Sequence, residues 1–215
     1  MYSCGFILPV MISNVCVFAA SSPGISDRYL EAGKEMAGIL AEKDISMTYG
    51  AGSVGIMGVM ADELLDRNGN VTGIIPGFMK EMGWAHPGLK DLVVVDTMHE
   101  RKSLMMEKAD AIISMPGGVG TLEELLEAIT LKQLGKFLKP IVILNTGGFY
   151  DPLLKHFEEM INEHFMRPLH GKIWQVASHP SEVIERIENE PDWDPQAIKY
   201  AAVEANIGRV RTSGQ

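Results

Sequence analysis

Short apolar runs alternate with longer amphipathic stretches along most of the chain, and this alternation strongly constrains the fold. Seven runs rich in β-branched residues predict strands at 14–20, 45–49, 71–76, 92–96, 111–115, 141–145 and, more briefly, 173–177. Apolar residues at helical spacing predict helices at 27–43, 56–67, 98–109, 122–134, 150–163 and 180–190. Strands that alternate with helices form parallel sheets, and apolar strands without strict alternation indicate that both sheet faces are covered. The sequence therefore predicts an α/β fold, an open, doubly wound, mostly parallel and Rossmann-like sheet with helices on both faces.

One domain is expected to account for most of the chain. No internal repeat or low-complexity linker divides the 215 residues, and a hydrophobic content of 46% suits a single core. We expect the domain to span residues 14–190, after an N-terminal extension at 1–13. From residue 190 onward the sequence is polar, contains Pro191 and Pro195, and has no apolar period, which predicts a loosely held C-terminal tail at 191–215.

Charge and cysteine content indicate which partners the protein lacks and which cellular compartment suits it. The net charge of -9 lacks the basic footprint of a nucleic-acid-binding protein, so no nucleic-acid partner is expected. The apolar run near the N-terminus has no basic residues before it and is too short to span a bilayer, so no membrane partner is expected either. The two cysteines, Cys4 and Cys16, form neither a disulfide framework nor a zinc motif, which predicts buried thiols in a reducing, cytoplasmic setting.

Glycine and small polar residues follow most of the predicted strands. They lie at 21–24, 50–55, 76–77, 116–121 and 147–148, after the first, second, third, fifth and sixth strands. Ligands of open parallel sheets bind at the carboxyl ends of the strands. The functional site is therefore expected at that edge of the sheet.

The segment 115–124, MPGGVGTLEE, is the most informative of these loops. It departs from the dinucleotide fingerprint, which needs a small residue where the chain has Glu123, and from the P-loop, which needs a Gly-Lys-Ser/Thr sequence. The backbone N–H groups of Gly118, Val119 and Gly120 and the hydroxyl of Thr121 remain as a phosphate site at a helix N-terminus. The alternative is an ordinary strand-to-helix turn with Thr121 as the N-cap.

Two acidic side chains follow that turn. Thr121 and Glu124 have the spacing of a capping box, in which the Glu124 carboxylate would bond back to the N-cap backbone. Glu123 would then be a solvated acid that the helix dipole favours. The spacing leaves this structural role of Glu124 open against a catalytic one.

Thr97 and Glu100 form a second capping box, which places Arg101 and Lys102 in or just after the first turn of the next helix. Cations there oppose the helix dipole by about 0.3–1 kcal/mol each. A negative group of a ligand would compensate for this repulsion, as would a surface salt bridge with Asp96 or Glu100.

Other motifs give weaker indications. AGSVG at 51–55 is one residue away from a nucleophile elbow, but no Asp and His at identifiable later positions complete a serine-hydrolase triad. The six histidines lack metal-ligand spacing, so we expect them at the surface or in packing and predict no metal site. Met79, Met82 and Met98 lie near the expected edge and could line a flat apolar pocket.

Five motifs together resemble the "lonely guy" (LOG) family of cytokinin-activating phosphoribohydrolases. They are the Ser21-Ser22 loop, YGAGSVGIMG at 49–58, IPGFMKE at 75–81, MHERK at 98–102 and PGGVGTLEE at 116–124, and the resemblance covers residues 14–165. Two departures from the family pattern are present. Ala51 replaces the third glycine of the usual YGGGS, and GWAHPGL at 83–89 differs from plant members.

The resemblance implies a Rossmann-like homodimer that hydrolyses the N-glycosidic bond of adenine-type nucleoside 5'-monophosphates, releasing free base and ribose 5-phosphate without a cofactor. It implies that Arg101 and Glu124 are the catalytic pair. The substrate-binding residues expected in the matching motifs and in the helix that follows them are Ser21, Gly52, Ser53, Glu81, Lys102, Gly117, Gly118, Val119, Gly120, Thr121, Leu122, Glu123 and Thr130. AMP and its N6-prenylated derivative remain alternative substrates.

The chemistry of such a reaction suits these residues. Cleavage of a ribosyl C–N bond develops positive charge on the sugar and needs a water molecule at the anomeric carbon. Glu124 could stabilise the cation and activate the water, while Arg101 holds the carboxylate or a ribose hydroxyl.

Two other functions compete with this interpretation. A nucleotide or molybdenum-cofactor carrier without turnover is the alternative, and the Arg101–Glu124 pair disfavours it. A lysine decarboxylase, a label that such proteins have carried, needs a Schiff-base lysine, and neither Lys102 nor Lys132 lies in a recognisable cofactor motif.

Overall fold

The computed structural model describes residues 12–201, within which seven strands form one sheet. The strands are β1 (Asn14–Phe18), β2 (Ser46–Tyr49), β3 (Val71–Pro76), β4 (Asp91–Val95), β5 (Ala111–Ser114), β6 (Ile141–Leu144) and β7 (Gln175–Ala177). Every pairing is parallel, and the order across the sheet is β4-β3-β2-β1-β5-β6-β7. The predicted α/β fold class and all seven predicted strands are confirmed, although several strands are shorter than expected.

Helices follow the strands in the predicted alternation. They are α1 (Asp27–Glu42), α2 (Gly55–Asp66), α3 (Gly77–Glu81), α4 (Met98–Lys108), α5 (Val119–Gln133), α6 (Asp151–Asn162), α7 (Pro180–Glu188) and α8 (Ile198–Ala201). Six of them were predicted, whereas α3 and α8 are too short to show an apolar period. Among the described helices, none combines the length and apolarity that a membrane crossing requires.

The sheet separates two hydrophobic cores. Buried side chains of α1, α2 and α7 pack on one face, and those of α4, α5 and α6 pack on the other. The chain passes from β1 outward to β4 and then returns through α4 to β5, which pairs with the other side of β1. This reversal places the loops after β1 and β5 side by side at the carboxyl edge, where doubly wound sheets bind ligands.

The segment after Glu190 is held more firmly than its composition suggested. The Glu190 carboxylate forms a buried ion pair with Lys132 Nζ, and Trp193 Nε1 donates to Lys132 O at 2.6 Å. Ala197 is buried. The expectation of a loosely held tail is therefore wrong for residues 191–197, because single anchoring contacts leave no periodic signal in the sequence.

The predicted N-terminal extension lies outside the described residues except for Ile12 and Ser13. Cys4 and the end of the predicted tail, 202–215, lie outside them as well. Cys16 is a free, buried thiol in β1, as predicted.

Candidate active site

Two adjoining cavities open at the carboxyl edge of the sheet, and four residues line both: Ser21, Met57, Met79 and Arg101. The inner cavity has a volume of about 300 Å³ and is also lined by Ala19, Ala20, Ser22, Met98, Gly118, Gly120, Thr121, Glu123 and Glu124. The outer cavity has a volume of about 280 Å³ and is also lined by Gly50, Gly52, Ser53, Val54, Ile75, Gly83 and Trp84. The inner cavity therefore lies at the β1–β5 reversal, as expected for the ligand site of this topology.

The turn into α5 differs from the prediction. The helix begins at Val119 with Gly118 as the N-cap, and no side chain caps it. Thr121 is therefore the third helical residue, and the predicted Thr121–Glu124 capping box is wrong. Its side chain folds back over Gly117, where a Cβ would overlap the Thr121 hydroxyl. The glycines let the chain enter the helix two residues before the threonine that would otherwise cap it.

This early start opens an anion site. The first N–H groups of an α-helix, here those of Gly118, Val119 and Gly120, have no acceptor within the helix. A Cβ at Gly118 or Gly120 would meet no atom within 4 Å, so the space over this turn is open to the inner cavity. Partial positive charge and open N–H groups at one helix end suit a phosphate.

Glu124 is free of the capping role and faces the inner cavity. Its residue is only 5% exposed, and within residues 12–201 its carboxylate accepts no hydrogen bond. Burial raises the pKa of Glu124 from 4.5 to about 7, against the opposing effect of the Arg101 charge. A carboxyl group with such a pKa can hold or release a proton near neutral pH, as general acid–base catalysis requires.

Arg101 lies between the two cavities and is held rigidly. It is 5% exposed, and it donates from Nε to Ile74 O at 3.0 Å and from Nη2 to Gly50 O at 2.5 Å. A Cβ at Gly50 would overlap Nη2, so this position must be glycine for the guanidinium to pass. Burial lowers the pKa of Arg101, and the nearby Glu124 opposes that effect.

The start of α4 confirms one of the two bonds of the predicted Thr97–Glu100 capping box, and it contradicts the predicted surface salt bridge. Thr97 caps the helix, because its hydroxyl accepts from Glu100 N at 3.0 Å. The Glu100 carboxylate accepts the Asp96 N–H at 3.0 Å and forms no ion pair with Arg101 or Lys102 among the described residues. The surface salt bridge considered for those two cations is therefore wrong, since both side chains are buried.

Lys102 acts on the inner cavity through its neighbours. Its ammonium forms ion pairs with Glu123 and, at 2.6 Å, with Glu127. Partial burial lowers the pKa of Lys102, but the hydrogen bonds to these two carboxylates outweigh burial and raise it. Lys102 lines neither cavity itself, whereas Glu123 lines the inner one.

The remaining predicted residues divide into two sets. Ser21, Gly52 and Ser53 line the outer cavity, as Gly118, Gly120 and Thr121 line the inner one. Five lie outside both cavities within this chain: Glu81, Gly117, Val119, Leu122 and Thr130. Of these, Leu122 packs against the core and Val119 is 83% exposed. Glu81 is exposed at the end of α3, and the Thr130 hydroxyl donates to Leu126 O at 2.7 Å.

Sequence reasoning missed several residues of the site. Val54, Met57, Ile75 and Trp84 line the outer cavity, and none was predicted as a site residue, although all four lie in segments quoted above. The carboxylate of Glu127 lies one helical turn after Glu123, a spacing that could have indicated a shared partner. Met79 and Met98 line the site as expected, whereas Met82 lines neither cavity.

The backbone is strained at Ala51, the alanine that replaces the usual glycine. Its φ is 60°, in the left-handed region that favours glycine. The carbonyl of Ala51 nevertheless accepts the His86 N–H at 2.8 Å, which fixes the loop after β2.

No metal-binding group emerges from this arrangement. Within residues 12–201, the His, Cys, Asp and Glu side chains form no cluster of three or more that could hold a metal ion. The described lining residues of the two cavities also include no lysine, so no amine is placed to bind pyridoxal phosphate.

Comparisons with known proteins identify a family model and curated relatives that this chain resembles. A family model described as "possible lysine decarboxylase" matches residues 57–187. A relative from Arabidopsis thaliana, named cytokinin riboside 5'-monophosphate phosphoribohydrolase LOG2, is 38% identical over 175 residues, which cover 81% of this chain and 82% of the relative. A relative from Rhodococcoides fascians with the same enzyme name is 42% identical over 156 residues, covering 72% of this chain and 79% of the relative.

Solved structures confirm the fold. The molybdenum cofactor binding protein of Rippkaea orientalis superimposes with a TM-score of 0.62 and 20% identity, covering 82% of this chain and 95% of that chain. The protein TM1055 has a TM-score of 0.64 and 24% identity, covering 82% and 98%. At these identities the likeness concerns the fold alone.

Proposed function

The chain belongs to the LOG family of cytokinin riboside 5'-monophosphate phosphoribohydrolases, and we propose that it hydrolyses the N-glycosidic bond of adenine-type nucleoside 5'-monophosphates. The products are the free base and ribose 5-phosphate. The observation that carries the proposal is the buried Glu124 carboxyl, which faces a cavity beside an open helix N-terminus and has a pKa of about 7.

The reaction follows from where each charge lies. The phosphate binds the N–H groups of Gly118, Val119 and Gly120 and the Thr121 hydroxyl. This places the ribose along the first turn of α5, where Glu123 accepts from the ribose hydroxyls and Lys102 holds Glu123 in position. The anomeric carbon then lies next to Glu124.

Glu124 acts on the water and on the sugar. The ionised carboxylate takes a proton from water as the water oxygen bonds to the anomeric carbon. The C–N bond breaks and its electron pair goes to the base nitrogen. That nitrogen takes a proton from solvent, and Glu124 returns its proton to solvent, so the carboxylate is regenerated. Positive charge that develops on the ribose is stabilised by the same carboxylate.

Arg101 orients these groups. Two of its nitrogens are fixed on main-chain carbonyls, while Nη1 faces the weakly accepting sulfur atoms of Met98 at 3.9 Å and Met79 at 4.0 Å. A ribose hydroxyl is a better acceptor for Nη1 than either sulfur. The Arg101 charge also keeps the Glu124 pKa from rising further.

Two alternatives have less support. A lysine decarboxylase, as the family model is described, needs a free amine. Lys102 forms ion pairs with Glu123 and Glu127, however, and Lys132 forms a buried ion pair with Glu190. A carrier without turnover is suggested by the molybdenum-cofactor proteins, which share the fold at 20% identity or less, whereas the relatives at 38–42% identity carry the hydrolase name.

The direct test is incubation of the purified protein with AMP and with isopentenyladenosine monophosphate, followed by chromatography for free base and ribose 5-phosphate. Release of both products from at least one nucleotide is expected. Absence of both products would refute the hydrolase for these substrates.

Glu124→Gln tests the role of the carboxylate. We expect kcat to fall by about 10²–10⁴, the usual contribution of general acid–base catalysis. Glu158→Gln, on the exposed face of α6, is the matched control and is expected to retain wild-type turnover. Equal activity of the Glu124 variant and the control would assign Glu124 a structural role.

We also propose that the chain is a homodimer of the cytoplasm. Large apolar side chains are exposed on the elements beside the site: Phe78, Met82, Val94, Met98 and Leu126. Glu81 and Thr130 lie on two of these elements, α3 and α5, so a second copy is what would bring them to a nucleotide. Sedimentation velocity is expected to give a dimer, and Leu126→Glu is expected to give a monomer with the same far-UV spectrum.

A further inference from the structure

The loop between α3 and β4, residues 82–90, forms one wall of the outer cavity. Trp84 is the large side chain of that wall, and 51% of it is exposed although it belongs to a cavity lining. An indole left half in solvent at the mouth of a cavity has a face available for a planar ligand.

The loop is held in place by His86, the residue two positions after Trp84. His86 is buried, and its Nε2 donates to Asp62 Oδ1 at 3.0 Å, since its Nδ1 accepts the Gly88 N–H at 3.1 Å. The His86 N–H donates to Ala51 O at 2.8 Å, and Ala85 forms an antiparallel bridge with Gly52. Nε2 therefore ties the loop to α2, Nδ1 braces the loop internally through Gly88, and the adjacent backbone ties it to the turn after β2.

The outer cavity is where the base of a bound nucleotide must lie. The phosphate and ribose occupy the inner cavity, between the N-terminus of α5 and Glu124, and Arg101 marks the junction of the two cavities. A glycosidic bond placed at Glu124 directs the base past Arg101 into the outer cavity.

The lining of that cavity restricts how a base is recognised. Among the described residues that line it, none is Asn, Gln, Asp or Glu, so no carboxylate or amide side chain can pair with the hydrogen-bonding edge of a purine. Its apolar side chains are Val54, Met57, Ile75, Met79 and Trp84. Its polar side chains are Ser21, Ser53 and Arg101, so contact with an N6 substituent falls mainly to apolar and aromatic packing.

We propose that Trp84 is the specificity-determining residue for the base and its N6 substituent, and that His86 is the positioning residue that holds Trp84 against the cavity. This inference rests on the proposed hydrolase for the placement of the base. Trp84 packs against the base, and His86 acts through the loop without touching the nucleotide.

The kinetic test compares AMP with isopentenyladenosine monophosphate. We expect Trp84→Ala to lower the ratio of kcat/KM for the prenylated nucleotide to that for AMP about tenfold, mainly through KM. Trp84→Phe keeps an aromatic face and is expected to stay within about threefold of the wild-type ratio. An unchanged ratio in Trp84→Ala would overturn the proposal.

Phe165→Ala is the matched control, because Phe165 is a 79% exposed aromatic side chain that lines neither cavity and is not part of the proposed dimer surface. Its ratio is expected to equal that of the wild type. A shift in Phe165→Ala as large as that in Trp84→Ala would mean that loss of any exposed aromatic side chain produces the effect, and would contradict the specific role of Trp84.

The positioning role of His86 is tested by measuring KM and kcat separately in His86→Ala and by comparison with a conservative change of its partner Asp62. His86→Ala is expected to lower the same ratio by about as much as Trp84→Ala, with kcat for AMP within about twofold of wild type. Asp62→Asn keeps an acceptor oxygen for Nε2–H and is expected to behave as wild type. A wild-type ratio in His86→Ala, or a loss in Asp62→Asn equal to it, would remove the positioning role.

Tryptophan fluorescence distinguishes failure of this inference from failure of the hydrolase. Titration with isopentenyladenosine monophosphate is expected to give a saturable change in the wild type that disappears in Trp84→Phe, while Trp174 and Trp193 remain. A saturable Trp84 signal without turnover would support contact between Trp84 and the base and would refute the hydrolase. Turnover with no Trp84-dependent signal would support the hydrolase and overturn the role of Trp84.

Discussion

Each end of α5 carries a buried ionisable side chain, but within the described part of the chain only the one near the C-terminal end has hydrogen-bond and ion-pair partners. Near its start, Glu124 is buried with no hydrogen bond from the described residues, and its pKa is raised to about 7. Near its end, Lys132 is fully buried, pairs with Glu190 and donates to Lys139 O at 2.9 Å. The Glu190 carboxylate also accepts the Ile141 N–H at 3.3 Å.

The difference shows how one helix serves function and stability at once. A buried charge is tolerated when every polar atom is paired, and this is the arrangement at Lys132. At Glu124 the carboxylate accepts no hydrogen bond from residues 12–201, and the Arg101 charge offsets its burial only in part, so the fold is less stable than it would be with a neutral residue there. That carboxylate remains available to a ligand.

Lys132→Met is the substitution with the largest expected effect on stability. It leaves Glu190 buried without a counter-charge, so the free energy of unfolding should fall by about 3–5 kcal/mol. Denaturant unfolding measures this change, and turnover per folded molecule should stay within about twofold, because the pair is outside both cavities.

The double variant Lys132→Met/Glu190→Leu is the control, since it replaces the whole pair by apolar side chains. It should recover most of the lost stability. A single variant within about 1 kcal/mol of wild type would show that the C-terminal end of α5 does not depend on a satisfied ion pair.

Glu124→Gln should have the next largest effect, and in the opposite direction. A pKa raised from 4.5 to about 7 means that the wild-type contribution of this group to stability is present below pH 4.5 and is lost as the pH rises through 7. The neutral variant avoids that loss. Its free energy of unfolding should match that of the wild type at pH 4 and exceed it by roughly 3 kcal/mol at pH 8.

Urea unfolding at several pH values checks this prediction. A Glu124→Gln variant that is less stable than the wild type at pH 8 would show that the carboxylate is already satisfied within the fold. The contrast between the two ends of the helix would then fail.

Lys102→Met should have the smallest effect on stability, because both of its partners keep contact with solvent, Glu123 at 53% and Glu127 at 24% side-chain exposure. The expected loss is about 1 kcal/mol or less. We expect KM for the nucleotide to rise several-fold while kcat changes less, because Glu123 loses its fixed position beside the ribose. Lys155→Met, at an exposed position of α6, is the control, and equal KM values in the two variants would contradict this role.

Much of the fold was predictable because burial on a sheet is periodic in the sequence. The strands and the long helices follow from apolar spacing, and the site edge follows from the glycines after the strands. The start of α5 was not predictable from spacing, because Gly118 takes the N-cap when Thr121 folds over Gly117. That choice depends on three-dimensional packing of the turn.

The candidate site also contains residues that could be predicted from the sequence and residues that could not. Arg101 and Glu124 lie in compact motifs, so their proximity to the glycine-rich turn could be expected. Trp84 and His86 lie in a loop without periodicity, and the contact of His86 with Asp62 spans 24 residues. Contacts between distant segments leave no local signal, and the same reason explains why Trp193 was assigned to a loose tail.

The most direct measurement of the central claim is the pH dependence of kcat/KM for wild type and for Glu124→Gln. If the ionised Glu124 carboxylate activates water, the wild-type value should fall about tenfold per pH unit below pH 7 and level off above it. The substrate phosphate, with a pKa of about 6, titrates in both proteins, so the difference between the two profiles isolates Glu124. A wild-type profile that runs parallel to that of Glu124→Gln between pH 5 and 8 would contradict the account.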